Sequence, residues 1–113
     1  MKTIDVYERY FEAELTYNGV KRRAANVKLT AESDCGMIKY EVSVSFFPHE
    51  DEEDFRISYD AYFSKILYEG KGRRSKKKEE EYMKILFDTV DEICREHGAE
   101  IFIDKPLIPE RRG

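Results

Sequence analysis

Long stretches of strict apolar–polar alternation are the feature that most constrains how this 113-residue chain folds. The clearest stretch is MIKYEVSVSFF, residues 37–47, in which every second residue from Ile38 to Phe46 is apolar. Side chains of a β-strand point alternately to the two faces of a sheet, so this pattern predicts a strand with one buried face. Residues 7–15 also have period two, with Tyr7, Arg9, Phe11, Ala13 and Leu15 on one face and glutamates between them, and the Asn18-Gly19 pair that follows predicts a hairpin.

Two registers are open for this first hairpin. A two-residue Asn-Gly loop pairs Tyr17 with Val20, whereas a three-residue loop pairs Thr16 with Val20. The second register sets apolar residues side by side and opposes unlike charges, which stabilises a sheet. Its pairs are Tyr7–Leu29, Arg9–Val27, Phe11–Ala25, Glu8–Lys28 and Glu14–Arg22. We therefore predict the second register, because a slip by one residue would turn the apolar set toward solvent.

The remaining elements follow from turn signals and from a change of period. SDCG, residues 33–36, predicts a turn, and residues 55–70 predict a fourth strand with a bulge near Ser64-Lys65. From Lys76 onward the apolar residues recur at helical spacing, which predicts one long amphipathic helix. Ser75 is its predicted N-cap and Gly98 its predicted end. Residues 99–104 predict a short last strand.

The order β-β-β-β-α-β predicts an α+β fold of two layers. In it, an antiparallel sheet of four to five strands carries one long helix packed on one face. We expect one domain over residues 1–105 and a C-terminal tail over 106–113. The N-terminus lacks the apolar stretch of a signal peptide, and no run is long enough to span a membrane. A cytoplasmic protein without a membrane partner is therefore expected, and an exposed edge strand leaves the oligomeric state open.

Charge is arranged in blocks of opposite sign, although the net charge is only −4. EDEED, residues 50–54, carries five negative charges, and residues 71–78 carry six positive ones. The candidate nucleic-acid-binding residues are Lys71, Arg73, Arg74, Lys76, Lys77 and Lys78. The candidate acidic partner-binding residues are Glu50, Asp51, Glu52, Glu53, Asp54, Glu79, Glu80 and Glu81.

The basic run GKGRRSKKKEEE has two interpretations. Its glycines and hydroxyl are wrongly spaced for a nucleotide-binding phosphate loop. Lysines in the first turn of a helix nevertheless oppose the helix dipole and make the N-terminus attractive to an anion. In the simpler interpretation Glu80 and Glu81 neutralise Lys76 and Lys77 at i+4, and the run is a solvated connection. No aromatic residue interrupts the run, which speaks against stacking of single-stranded bases.

No constellation in the sequence predicts catalysis, a metal site or a cofactor. Cys94 and His97 share a predicted helix face, but no third group orients them as a nucleophile and a base. EDEED lacks the alternating ligands and central glycine of a calcium loop. Cys35 and Cys94 are expected to be free thiols. Tyr62 and Tyr68 fall off the buried parity of their strand and are candidates for exposed aromatic contacts.

The acidic segments EDEED and EEEYMKILFDTVDE, with the small size and α+β build, suggest a family resemblance. The chain resembles the small acidic accessory proteins carried by phages and mobile genetic elements, among them anti-CRISPR inhibitors. The resemblance implies a non-enzymatic inhibitor that docks on a basic or nucleic-acid-handling host enzyme through its acidic surfaces. The alternative is a nucleic-acid-binding accessory protein that uses residues 71–78, with residues 21–23 as a lesser patch. An enzyme is the least favoured class.

Overall fold

The computed structural model describes residues 2–17, 20–47, 61–98 and 100–103, with side chains for 2–11, 25–46 and 62–98. Its elements are β1 (Lys2–Tyr17), β2 (Val20–Asp34), β3 (Met37–Phe47), β4 (Ala61–Lys71), α1 (Lys76–Lys84), α2 (Leu86–Glu96) and β5 (Glu100–Ile103). The strands form one sheet in the order β4-β3-β2-β1-β5, and every pairing is antiparallel. The predicted α+β class is thereby confirmed. The predicted tail, residues 106–113, lies outside the described residues, as does the start of the predicted fourth strand.

The β1–β2 hairpin uses both of the registers that the sequence leaves open. Far from the turn the predicted pairs are confirmed, namely Tyr7–Leu29, Glu8–Lys28, Arg9–Val27 and Phe11–Ala25. Next to the turn, Tyr17 pairs with Val20 and Leu15 with Arg22, so the predicted pairs Thr16–Val20 and Glu14–Arg22 are wrong. The register shifts between Glu12 and Leu15, where β1 contains one residue more than β2. This bulge lets the strand ends pair closely while the apolar side chains farther along stay on the buried face.

A further bulge lies in β4 at Leu67, two residues beyond the predicted Ser64-Lys65 site. Glu41 of β3 pairs with Ile66, whereas Tyr40 pairs with Tyr68, so Leu67 is the extra residue. Before the bulge, Phe63 pairs with Val44 on the buried face of the sheet. After it, the parity changes, and Tyr68 lies beside Tyr40 on that same face. The bulge therefore brings Tyr68 to the side of the sheet that the helices cover.

The helical layer is made of two helices, so the predicted single long helix is wrong. Ile85 separates α1 from α2 with φ −102° and ψ 4°. The hydroxyl of Thr89 donates a hydrogen bond of 2.8 Å to the Ile85 carbonyl, a type of bond that bends helices. Ser75 is the N-cap of α1, as predicted. Neither of the two helices is long and apolar enough to cross a membrane.

The core lies between one face of the sheet and the two helices. Its sheet residues are Val6, Tyr7, Phe11, Ala25, Val27, Leu29, Ala31, Ile38, Tyr40, Val42, Val44, Phe46 and Phe63. The helices contribute Met83, Leu86, Phe87, Val90, Ile93 and Cys94. The ring of Phe87 packs edge-on against Tyr7 and Phe11, with centroids 6.4 and 5.3 Å away. Full burial of each large apolar side chain contributes about 1.5–3 kcal/mol, so this layer supplies most of the folding free energy.

Candidate functional site

The basic run connects the end of β4 to the start of α1. Lys71 is the last residue of β4, and Lys76 is the first residue of α1. The Ser75 hydroxyl accepts a hydrogen bond of 3.3 Å from the Lys78 backbone N–H, which begins the helix at this point. Because every residue of the run is described, its interactions can be compared one side chain at a time.

The two glycines of the run have separate structural roles. Gly72 has φ +145°, a conformation that favours glycine, and its N–H donates a 2.9 Å hydrogen bond to the Gly36 carbonyl in the β2–β3 turn. A Cβ on Gly70 would lie 3.0 Å from the Tyr68 hydroxyl oxygen. That hydroxyl donates a hydrogen bond of 2.9 Å to the Lys71 carbonyl. Gly70 thus leaves room for the Tyr68 ring, and the hydrogen bond fixes the ring beside the basic run.

A buried polar network anchors the run to the sheet. The Glu79 side chain has no solvent exposure, and it accepts hydrogen bonds from Arg74 Nε at 3.0 Å and from Arg74 Nη2 at 2.8 Å. The Tyr40 hydroxyl donates to the same carboxylate at 2.7 Å and accepts a 3.0 Å hydrogen bond from the Ser75 N–H. Burial, with the Glu79 contact adding to it, raises the pKa of Tyr40 to about 12. The network therefore fixes the path of residues 74–79 over β3.

This network divides the predicted site residues into two groups. Glu79 lies in the interior, so its carboxylate is not part of an acidic surface that meets a partner. The bidentate contact with Glu79 occupies the Arg74 guanidinium and raises the pKa of Arg74. The other five predicted cations, which are exposed and do not bind Glu79, are Lys71, Arg73, Lys76, Lys77 and Lys78.

The exposed cations are poorly neutralised by their neighbours. Lys78 lies 3.7 Å from Glu81 in an exposed i,i+3 pair, which is a weak interaction. Within the described part of the chain, the side chains of Lys71, Arg73, Lys76 and Lys77 make no hydrogen bond or ion pair. The i+4 neutralisation by Glu80 and Glu81 that the simpler interpretation requires is therefore not observed at Lys76 and Lys77.

A pocket of about 230 Å³ opens beside this run. We call it the basic–aromatic pocket and define it by Ile38, Tyr40, Tyr68, Tyr82, Lys71, Arg73 and Lys78, which line it. Ile38 and Tyr40 are buried and form its floor, and the three cations are exposed and form its rim. The Tyr82 ring packs against the Tyr40 ring, with centroids 5.1 Å apart and planes tilted by 55°. The pocket thus combines aromatic walls with positive charge at its mouth.

The acidic candidates are distributed differently. Residues 50–54 lie outside the described residues, and Glu80 and Glu81 are exposed on α1. Exposed acids also continue along α2 at Asp88, Glu92 and Glu96, of which Glu92 lies 2.5 Å from Lys65. The side chains of the lesser basic patch, residues 21–23, are likewise outside the described part.

Cys35, Cys94 and His97, the residue that caps the C-terminus of α2, do not form a reactive group. Cys94 is fully buried, and burial raises the pKa of its thiol to about 12, so the nucleophilic thiolate is disfavoured. The His97 ring stacks on Phe63 at 4.4 Å. Cys35 is exposed in the β2–β3 turn, where the neighbouring Asp34 raises the pKa of its thiol. Among the described residues, no three His, Cys, Asp or Glu side chains cluster as metal ligands do.

Sequence reasoning identified the cations of the pocket and missed its aromatic walls. Tyr68 is 43% exposed, in agreement with its prediction as an exposed aromatic, but its position beside the basic run was not predicted. Tyr40 and Tyr82 looked like ordinary core residues because their apolar spacing matches that of their neighbours. One local signal indicates the position of Tyr68. The apolar residues of β4 change from odd to even positions before Tyr68, and such a change indicates a bulge.

Comparison of the chain with protein-family models, with curated protein sequences and with solved structures found no match.

Proposed function

We propose that the chain is a non-enzymatic nucleic-acid-binding protein whose site is the basic–aromatic pocket with the adjoining turn of α1. One observation carries this proposal, namely that exposed cations line an open pocket with aromatic walls, and that among the described residues only a weak Lys78–Glu81 ion pair neutralises them. Nucleic acids offer both complementary groups, because their phosphates bind cations and their bases stack on aromatic rings.

The charge of the site supports a polyanionic ligand despite the net charge of −4. The five cations that do not bind Glu79 lie within residues 71–78, a segment of eight residues that contains no acid. Arg74 contributes little to the external charge because its guanidinium is bound to the buried Glu79. Each phosphate neutralised releases counterions, and binding through such a site should therefore weaken steeply with salt.

The experiment is a salt titration of binding to labelled oligonucleotides, followed by fluorescence anisotropy. If all five cations contact phosphates of a single strand, the slope of log K against log salt should be about −3.5, at about 0.7 per contact. The double variant Lys71→Glu, Arg73→Glu should lose most of the affinity. The matched control, Lys84→Glu with Arg95→Glu, makes the same charge change at exposed helix positions outside the pocket and should bind more tightly than the pocket variant. Equal losses in the two variants, or no binding by the wild type at low salt, would refute the proposal.

The second candidate is an anti-CRISPR-like inhibitor, as the family resemblance implies. Its support is the series of exposed acids on the helices, including Glu80, Glu81 and Asp88, which offers negative charge to a basic enzyme surface. The test is the cleavage of target DNA by a purified, guide-loaded CRISPR nuclease with increasing amounts of the chain. Inhibition that is lost in Glu80→Gln, Glu81→Gln, Asp88→Asn but kept in Lys71→Glu, Arg73→Glu would favour this candidate. Unimpaired cleavage at a large excess of the chain would count against it for that nuclease.

A further inference from the structure

We infer that the basic–aromatic pocket takes one unstacked base of a single-stranded nucleic acid, with Tyr68 and Tyr82 as the stacking residues. This inference rests on the proposed nucleic-acid binding and specifies which form of nucleic acid is bound and by which contacts.

The lining of the pocket favours a base over a phosphate alone. Ile38, Tyr40, Tyr68 and Tyr82 present mainly carbon and ring surface, which a bare phosphate would not use. A planar base can contact such surface with its faces, while its own phosphates lie at the exposed rim near Lys71, Arg73 and Lys78. The two halves of a nucleotide thus match the two parts of the pocket.

The size of the pocket indicates one residue of a longer chain. Its volume of about 230 Å³ is below the roughly 300–1,000 Å³ of sites that enclose a whole drug-sized ligand. Lys76 and Lys77 are exposed in the first turn of α1, next to the pocket, and can contact phosphates of neighbouring nucleotides. A strand that places one base in the pocket and continues past α1 uses both features.

Entry into the pocket selects against a duplex. A paired base is stacked on both faces and must be flipped out before it can reach a concave site, and flipping costs free energy. A base in a single strand is already accessible, so the pocket should favour single-stranded RNA or DNA.

The walls of the pocket are held in place before a ligand arrives. The Tyr40 hydroxyl bonds to both Glu79 and the Ser75 N–H, and the Tyr68 hydroxyl bonds to the Lys71 carbonyl. Tyr82 is half-buried and packs on Tyr40. Preorganised rings lose little conformational entropy on binding, which is a property of effective stacking sites.

The experiment compares one sequence as single-stranded RNA, single-stranded DNA and blunt duplex DNA, each with the same fluorescent label. We expect the wild type to bind at least one of the single strands about tenfold more tightly than the duplex. Tyr82→Leu and Tyr68→Leu should weaken single-strand binding about tenfold, with the salt slope and duplex binding unchanged. The RNA and DNA arms then show which single strand is preferred.

Two controls separate stacking from folding. Tyr82→Phe retains the ring and should bind within about twofold of wild type, while circular dichroism checks that every variant is folded. In addition, 2-aminopurine placed in the strand should be quenched by the wild type and not by Tyr82→Leu, because stacking quenches this base.

The outcomes also distinguish this inference from the proposed function. Equal affinity for single strand and duplex, or unchanged binding by both leucine variants, would overturn the inference while the loss of binding in Lys71→Glu, Arg73→Glu upheld the proposed function. If the wild type bound none of the three oligonucleotides at low salt, both would fall.

Discussion

The two helices cover the same face of one sheet, but with different chemistry. Under α2 the contact is hydrocarbon, and the Phe87 ring fills the space between Tyr7 and Phe11. α1 also buries Met83, but its most buried side chain is the carboxylate of Glu79, to which Arg74 and Tyr40 donate hydrogen bonds. Apolar packing fills space without fixing polar groups, whereas the network fixes a charged segment and leaves a pocket beside it.

This difference suggests a division of work along the sheet. The α2 region stabilises the fold through buried area, and the α1 region positions the candidate binding site. If the division is correct, variants in the two regions should separate stability from binding, and the following predictions test that separation.

The largest expected effect on stability is in the α2 region. Phe87→Ala should lower the free energy of unfolding by about 3–5 kcal/mol, because it leaves a cavity against Tyr7 and Phe11. The measurement is urea denaturation, with oligonucleotide binding measured on the folded variant at low temperature. We expect the affinity of the folded protein to stay at the wild-type value. A loss of affinity in the folded variant would show that the two regions are coupled.

The next effect separates two adjacent arginines. Arg74→Met should lower the free energy of unfolding by about 3 kcal/mol, because it leaves the buried Glu79 carboxylate without its ion pair. The matched control is Arg73→Met, the same change one position earlier at an exposed side chain. It should alter stability by less than about 0.5 kcal/mol and weaken binding. Equal stability losses in denaturant would contradict the structural role assigned to Arg74.

The smallest effect concerns a single hydroxyl group and its titration. Tyr40→Phe should lower the free energy of unfolding by about 1–2 kcal/mol near neutral pH, since Glu79 and the Ser75 N–H lose a partner. The folded protein keeps the Tyr40 proton up to about pH 12, whereas the unfolded chain releases it near pH 10. The contribution of the Tyr40 hydroxyl to the free energy of unfolding is therefore fully present below pH 10 and is lost as the pH rises to 12.

Denaturation of both proteins from below pH 10 up to pH 12 measures this titration. The wild type should lose more stability over that window than Tyr40→Phe. Tyr10→Phe is the control, because Tyr10 is 64% exposed and its variant should retain the wild-type alkaline loss. Parallel curves for wild type and Tyr40→Phe would contradict the raised pKa of Tyr40 in the folded protein.

Part of the fold followed directly from local patterns. Alternation in residues 37–47 predicted β3 and its buried face, and the change of period at Lys76 predicted the start of α1. Ser75 was predicted as its cap because a hydroxyl before a helix has a defined hydrogen-bonding role. These features depend on residues a few positions apart, so a single sequence contains the information they require.

The errors have an equally physical origin. The β1–β2 hairpin contains both predicted registers, joined by a bulge. The Asn-Gly turn alone predicts one of them, and the pairing of apolar and charged residues alone predicts the other. The helix break at Ile85 could not be read from apolar spacing, because buried residues continue at helical spacing on both sides of it. In both places a small local distortion preserves the burial that the pattern predicts.

By itself the sequence determined the α+β class, the buried face of the sheet and the position of the basic run between the last long strand and the helical layer. Only the tertiary structure decided which arginine is free, which glutamate is buried and which tyrosines stand beside the cations. The reason is distance along the chain, since Tyr40 bonds to Glu79 across 39 positions and to Ser75 across 35. Such contacts arise when one element packs on another, and the spacing of apolar residues within an element does not predict them.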